Sequence, residues 1–239
     1  MVAICNKEFR QFFGSLTGYL AVIIFLLLTG LFLFVFPGTS LLENGYATLD
    51  TFFDLAPMIL LLLIPAITMR SFADEFKSGT YEILATRPLS RWQITFGKYL
   101  ASLAIVVIAL LPTLMYVYTI RSLSTGGIDG GGIAGSFIGL FFLSAAFTAI
   151  GICCSSFTNN AVVAFLSGAF VCFILYYGFT AISGLSSLQG SGDYFIEMMG
   201  IDFHYRSLSR GAIDSRDIVY FLSLVFLFLF VTYRKLLNR

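Results

Sequence analysis

The sequence contains little charge and few of the side chains that carry out catalysis or bind metals. Only 11% of its 239 residues are charged, and it has a single histidine, His204. One imidazole without a spaced set of partner ligands makes no metal site, and no serine or cysteine nucleophile is placed with a base. The chain is therefore predicted not to be an enzyme and to bind no cofactor directly. His204 is interpreted as a satisfied or solvated loop histidine.

The sequence also lacks a phosphate-binding loop and a pattern of paired cysteines. Its glycine-rich stretch at 126–132 has no GxxxxGK[ST] pattern and follows no predicted strand, so we interpret it as an external connector. Cys5 is predicted to be cytoplasmic, and Cys153, Cys154 and Cys172 fall inside predicted membrane spans. This placement excludes a disulfide framework outside the membrane.

Ionisable residues are missing from the middle of the apolar segments. Proton- and ion-coupled transporters usually carry such groups near the bilayer midplane, because a buried charge is costly and is kept only for function. Asp54 comes closest, near the external start of the second predicted span, where a carboxylate at a helix start is the simplest interpretation. A transporter with this sequence must take its energy from another molecule.

What the sequence does contain is apolar surface. Its residues are 58% hydrophobic, with a mean hydropathy of +0.92. This composition predicts an all-α polytopic membrane protein, because each helical span needs about 20 apolar residues and satisfies its own backbone. The charge-free intervals predict transmembrane helices at 15–36, 53–69, 99–120, 133–154, 161–182 and 218–233, with a polar turn at 155–160 between the fourth and the fifth.

The positive charges set the predicted orientation. With both termini inside, all of the 14 Lys and Arg residues are cytoplasmic except Arg121, Arg206, Arg210 and Arg216, in agreement with the positive-inside rule. We expect a multi-pass protein of the bacterial inner (cytoplasmic) membrane with both termini in the cytoplasm. No signal peptide is expected, because the first apolar stretch is long enough to remain as an anchor.

Three segments outside the spans are predicted to have their own structure. Residues 3–14 have the spacing of an amphipathic interfacial helix, although a frayed start of the first span is the alternative. Residues 70–98 form the only sizeable cytoplasmic loop, in which Thr80 is expected to cap a second short helix. The external segment 183–216 is expected to re-enter the membrane edge and roof the molecule.

Two groups of residues resemble the ABC-2 type permease family, and the resemblance covers nearly the whole chain. The first group is in the cytoplasmic loop: Phe72, Glu75, Gly79, Thr80, 82–84, 86–90, Gly97 and Lys98. The second comprises Ser155, Ser156, Asn159, Asn160, 206–211, Ile213, Asp214, Asp217, Tyr220 and Phe221. Within the family, the run 55–75 is similar to the gliding-motility-associated permease subunit.

The resemblance implies a six-helix core of the ABC-2 (type V) exporter type, in which two membrane subunits meet above two cytoplasmic ATPases. Residues 72–86 would correspond to the coupling helix that rests in a groove of the ATPase, although an ordinary solvated loop is the alternative. The expected interface residues are Phe72, Asp74, Glu75, Phe76, Lys77, Thr80, Tyr81, Glu82 and Leu84, with charges selecting the partner and apolar groups anchoring it.

The family also implies a transport path between the second and fifth helices. Its expected lining residues are Asp54, Met58, Leu62, Pro65, Phe165 and Phe173, which hint at a hydrophobic or lipid-linked cargo. The implied partners are a cytoplasmic ABC ATPase dimer that holds ATP and Mg²⁺, membrane lipid, and a second, larger membrane subunit or a homodimeric copy. No nucleic acid is expected. The alternative function is a non-transporting anchor or mechanical subunit of a gliding or secretion machinery.

Overall fold

The computed structural model describes residues 2–37, 48–86, 88–124, 129–184, 193–211 and 214–238. These ranges are mostly helical and contain no strand. The helices are α1 (Val2–Phe13), α2 (Leu16–Phe34), α3 (Asp50–Thr68), α4 (Arg70–Ser78), α5 (Thr80–Ala85), α6 (Arg91–Leu110), α7 (Leu114–Leu123), α8 (Gly130–Phe157), α9 (Ala161–Phe173), α10 (Phe179–Ser183), α11 (Asp193–Glu197), α12 (Ile201–Ser209) and α13 (Ser215–Leu237).

Some of the sequence predictions fall on residues outside the described ranges. They concern Arg87, Arg239, residues 125–128 of the glycine-rich connector, and residues 185–192 and 212–213 of the external segment.

The described helices confirm an all-α membrane fold with five or six candidate spans. Five continuous helices are long and apolar enough to cross a membrane, at Asp50–Ser78, Arg91–Ser122, Gly130–Phe157, Ala161–Ser183 and Ser215–Leu237. The sixth candidate consists of α1 and α2, which meet at a bend of 69°. Ser15 accepts a hydrogen bond from the Gly18 backbone N–H at the start of α2, so the chain begins a new helix there.

The structure differs from the prediction around the cytoplasmic loop. Helix α3 continues into α4 as one rod of 29 residues, and α6 begins at Arg91 rather than at 99. Ser90 starts α6 with a capping box, in which its hydroxyl accepts from the Gln93 N–H at 3.2 Å and Gln93 Oε1 accepts from the Ser90 N–H at 3.1 Å. The charge-free criterion missed this extension because Arg91 and Lys98 lie inside the helix.

Helix α8 is the central helix of the bundle and packs against α3, α4, α6, α9, α12 and α13. Glycines allow the close approach: a methyl group on Gly151 would lie 2.1 Å from the Thr68 hydroxyl of α3, and one on Gly135 would lie 2.7 Å from Gly211. The predicted turn at 155–160 is shorter than expected, because α8 continues to Phe157. Ser155 and Ser156 are therefore buried helical residues and not part of the turn.

The two ends of α8 define two ends of the molecule. The end at Phe157, called here the inner end, carries an apolar cluster that joins Ile4 of α1, Phe72 of α4, Tyr81 of α5 and Leu236 of α13. Helix α1 and the end of α13 therefore lie on the same side as the predicted coupling segment. The end at Gly130, called the outer end, is covered by α12, and about 30 Å of helix separates Gly135 from Ser155.

Candidate functional site

Four charged side chains meet at the inner end and form what we call the charged junction: Lys7, Glu8, Glu75 and Lys98. Lys98 of α6 is fully buried. Its Nζ donates to Glu8 Oε1 of α1 at 2.8 Å and to the Ser71 carbonyl of α4 at 2.6 Å, and lies 3.0 Å from Glu75 Oε2. One ammonium group thus joins three helices that are far apart in the sequence.

The junction is electrically balanced. Lys7 Nζ donates to the second oxygen of Glu75, Oε1, at 2.7 Å, so two cations face two carboxylates. The Lys98 ammonium also lies 4.9 Å from the centre of the Phe72 ring, which adds a cation–π contact. Buried charges are tolerated only when they are paired in this way, and removal of one partner leaves the others uncompensated.

Ser155 of α8 holds the start of α4 in the same region. Its hydroxyl donates to the Met69 carbonyl at 2.9 Å and accepts from the backbone N–H groups of Phe72 and Ala73 at 3.0 and 3.2 Å. These N–H groups belong to the first turn of α4 and have no partner within their own helix. The side chain therefore fixes α4 against the central helix where α3 passes into it.

The predicted ATPase contacts differ in exposure, and some of them are buried. Phe72, Glu75 and Tyr81 are buried against helices of the same chain and offer no surface to a partner, which corrects their prediction as direct contacts. The Tyr81 ring packs edge-on against Phe76 and its hydroxyl accepts from Arg91. Asp74, Phe76 and Leu84 are half-buried, whereas Lys77, Thr80 and Glu82 are exposed.

The exposed residues around the bend between α4 and α5 form what we call the coupling tip: Lys77, Ser78, Gly79, Thr80, Glu82 and Ile83. Gly79 makes the bend between α4 and α5 with a φ of 71°, a left-handed conformation that glycine adopts readily. Thr80 does not cap α5 as predicted, because Gly79 occupies the cap position. Ile83 is 64% exposed and was missed, although its place on the side of the helix away from the buried Tyr81 would have indicated it.

Three of the six predicted path residues form an exposed stripe on α3. Asp54, Met58 and Leu62 follow one another at four-residue spacing and are all exposed, as helical geometry requires for residues on one face. Phe173 of α9 is also exposed and Phe165 is half-buried. Pro65 is buried against α9, where it lies next to Gly168, so it is a packing residue and not part of an open wall.

A family model described as ABC-2 family transporter protein matches residues 2–209. This range includes the charged junction, the coupling tip and the exposed stripe. The chain belongs to the ABC-2 transporter family. No individual curated protein matches it.

Membership explains the arrangement of the ABC-2 permease described so far. The family consists of membrane-spanning permeases of ABC exporters that work with a cytoplasmic ATPase. A permease of this kind needs a surface for its ATPase and a connection from that surface to its membrane helices. At the inner end, the coupling tip is an exposed surface, and the charged junction joins α4 to α1 and α6. The predicted resemblance is thus confirmed for the family, while the gliding-motility branch stays a prediction.

The permease has a second polar region at its outer end, which we call the outer cleft. It is a cavity of about 760 Å³ lined by Thr48, Leu49, Asp50, Phe53, Asp54, Asp129, Gly132, Ile133, Ser136, Tyr176, Tyr177, Asp202, Tyr205, Arg206, Ser209 and Arg210. The Asp202 carboxylate accepts from Arg206 Nε at 3.0 Å, and this hydrogen bond raises the pKa of Arg206. The i, i+4 spacing of Asp202 and Arg206 would have predicted this ion pair on a helix.

His204 of the permease is buried and fully hydrogen-bonded, which confirms the satisfied interpretation over the solvated one. Its Nδ1 lies 2.6 Å from Asp217 Oδ1 of α13, and its Nε2 donates to the Met198 carbonyl at 2.9 Å. The imidazole ring also stacks on the Tyr220 ring, with 3.9 Å between the ring centroids. His204 therefore fastens α12 to α13, and among the described residues no group of His, Cys, Asp and Glu is suited to a metal ion.

Proposed function

We propose that this permease is the membrane subunit of an exporter whose cytoplasmic ATPase docks on the coupling tip and moves the membrane helices through the charged junction. The observation that carries the proposal is the position of Lys98. It is fully buried in α6 and bonded to both α4 and α1. A displacement of the tip is therefore transmitted to two further helices rather than absorbed by a flexible loop.

The helix geometry supports this transmission. Helix α4 continues α3 within the single rod Asp50–Ser78, and Ser155 fixes the joint against α8. A force on the coupling tip thus acts at the end of a rigid lever. The exposed stripe of Asp54, Met58 and Leu62 lies on the other arm of that lever, so motion of the tip reorients the surface predicted to line the path.

The chemistry of the coupling tip suits a protein groove. It offers an exposed apolar side chain, Ile83, next to Glu82 in the chain, and an exposed charge of the opposite sign, Lys77. Apolar groups supply most of the binding energy in such interfaces, and the surrounding charges select the partner. ATP and Mg²⁺ would be bound by the ATPase. The proposal includes an inner-membrane location, cytoplasmic termini and assembly with a second copy or with a larger membrane subunit.

The nature of the cargo belongs to the same proposal. The exposed side chains of the stripe are apolar below Asp54, which suits a hydrophobic or lipid-linked molecule. The association with gliding motility and the alternative of a non-transporting anchor stay predictions. Stimulation of ATP hydrolysis by a cargo in the reconstituted complex would support transport, whereas an unchanged rate with every cargo would support the mechanical function.

Co-purification from native membranes tests the docking surface. The wild-type permease is compared with a variant that carries Glu82→Arg and Ile83→Asp, and bound proteins are identified by mass spectrometry. We expect an ABC ATPase to accompany the wild type and to be lost from the variant. Asp193→Arg, the same charge reversal at the outer end, should retain it. The absence of any ATPase from the wild type would contradict the exporter proposal.

A further inference from the structure

The outer cleft has one acidic wall and one basic wall. Asp50 and Asp54, one turn apart near the start of α3, form the acidic wall, and Arg206 and Arg210 on the side of α12 form the basic wall. A further carboxylate in the lining, Asp129, accepts from the Gly131 and Gly132 N–H groups at the start of α8. No ion pair or hydrogen bond between described residues joins the carboxylates of the first wall to the guanidinium groups of the second. The cavity therefore lies between charges of opposite sign that are not paired with each other, so both can act on a bound molecule.

The basic wall is held in place by a buried group. Asp202 is only 2% exposed; one of its oxygens accepts from Arg206 Nε and the other accepts from the Thr180 hydroxyl at 3.4 Å. Because Nε is used in this bond, the terminal nitrogens of the more than half-exposed Arg206 side chain remain for another acceptor. A guanidinium fixed in this way is preorganised for an anionic group such as a phosphate.

The floor of the outer cleft contains an unusual helical segment. Residues Ile174–Gly178, between α9 and α10, form a π-helical turn, and two consecutive residues of that turn, Tyr176 and Tyr177, line the cavity. Single π-helical turns are rare and occur frequently at functional sites. On the opposite side the Tyr205 hydroxyl donates to the Phe53 carbonyl at 2.7 Å, which fixes α12 to α3.

The acidic wall continues into apolar surface along α3. Asp54 is followed at four-residue intervals by Met58 and Leu62, which are 58% and 53% exposed. The face is thus polar in the outer cleft and apolar below it over about 12 Å of helix. This polarity matches a molecule with a charged head and an apolar tail that lies parallel to α3.

We infer that the outer cleft binds the zwitterionic head group of a phospholipid-like amphiphile. Its ammonium group lies against Asp50 and Asp54, its phosphate lies against Arg206 and Arg210, and its tail follows Met58 and Leu62. This inference rests on the proposed export function, because it names the class of cargo that the permease carries. An anionic amphiphile would meet the acidic wall without a compensating cation, so it should bind more weakly.

Native mass spectrometry of the permease released from detergent micelles tests this inference. Short-chain phosphatidylethanolamine, short-chain phosphatidylglycerol and free phosphoethanolamine serve as probes. We expect the dissociation constant of the wild type for phosphatidylethanolamine to be lower than that for phosphatidylglycerol by a factor of at least about ten. Asp54→Asn should remove this preference. Arg210→Gln should weaken the binding of both lipids, because both carry the phosphate, whereas Arg210→Lys, which keeps the charge, should preserve most of the affinity.

Matched variants outside the cleft serve as controls. Asp193→Asn and Arg216→Gln change the same residue types at the outer end and should leave the preference intact. Equal binding of the two lipids by the wild type, a preference that survives Asp54→Asn, or an unchanged affinity of Arg210→Gln for both lipids would overturn the inference. Binding of free phosphoethanolamine as tight as that of the lipid would also overturn it, since the tail would then contribute nothing.

The proposed function and this inference can be tested independently of each other. The Asp54→Asn variant has an unaltered coupling tip, so it should still co-purify with the ATPase. Loss of lipid preference with a retained ATPase supports the inference. If the wild type shows the preference but binds no ATPase, the head-group site stands and the export function does not.

Discussion

The charged junction and the outer cleft contain similar side chains but use them in opposite ways. At the junction, two lysines and two carboxylates are in direct contact and Lys98 is fully buried. In the outer cleft, the carboxylates of α3 and the guanidinium groups of α12 face each other across a cavity of about 760 Å³. Matched, buried charges connect helices, whereas separated, accessible charges can bind a ligand. The comparison predicts that mutations at the junction affect stability most.

The largest effect is expected from Lys98→Met, which removes the charge at nearly unchanged volume. Glu8 and Glu75 would then remain in a buried site without their central cation, and such a loss typically costs about 3–5 kcal/mol. We expect a large drop in the thermal midpoint of the purified permease. The triple variant Glu8→Gln, Glu75→Gln and Lys98→Met should recover much of that loss, because it removes the whole network. A stable single variant would show that the junction is not a structural connection.

A smaller effect is expected from Asp202→Asn in the outer cleft. The uncharged amide would no longer accept a charge-assisted hydrogen bond from Arg206 Nε, and a hydrogen bond to a charged group contributes about 1.5–3 kcal/mol. Arg206 is partly solvated, so the loss should fall at the lower end of this range. The measurement is the same thermal midpoint, together with phosphatidylethanolamine binding, which should weaken because the basic wall is no longer fixed. A loss as large as that of Lys98→Met would remove the distinction between the two regions.

Ser155→Ala tests the joint between α3 and α4 at the inner end. The substitution leaves the Met69 carbonyl and the N–H groups of Phe72 and Ala73 without their side-chain partner, at a cost of about 1–2 kcal/mol. The expected result is a modest decrease of the thermal midpoint and weaker stimulation of the ATPase by the permease. Ser156→Ala is a suitable control, since that hydroxyl donates only to the Cys153 carbonyl of its own helix. Equal effects of the two variants would contradict the role of Ser155 in joining helices.

The sequence was sufficient to predict the membrane fold and the family, but not the junction. Apolar runs longer than a bilayer requires identify helices such as α8 and α9 without any tertiary information. Lys98 was assigned to a cytoplasmic loop because its charge ended an apolar interval. Its actual place in α6 depends on Glu8, which is 90 positions away. Neutralisation by distant residues cannot be deduced from one local pattern.

The outer cleft was missed for a related reason. Its walls come from α3, α8, the π-helical turn and α12, and only their packing brings the charges together. Asp54 was interpreted correctly as a carboxylate near the outer start of a span, but its relation to Arg206 depends on the way that α12 covers α8. The burial of Phe72, Glu75 and Tyr81 was also not predictable. In a short helix of mixed polarity, the sequence does not indicate which face packs against the other helices of the chain.

The smallest effect is expected from Lys7→Met, which separates the contribution of the exposed lysine of the junction from that of the buried one. The Lys7 side chain is 51% exposed, and ion pairs that water can screen contribute about 0–1 kcal/mol. Glu75 keeps its contact with the buried Lys98, so no carboxylate is left alone. We expect a thermal midpoint within a few degrees of the wild type, and a difference that shrinks further at high salt. A loss comparable to that of Lys98→Met would show that both lysines are needed to hold α1 on α4. The junction would then act as one four-charge unit rather than through a single buried hub.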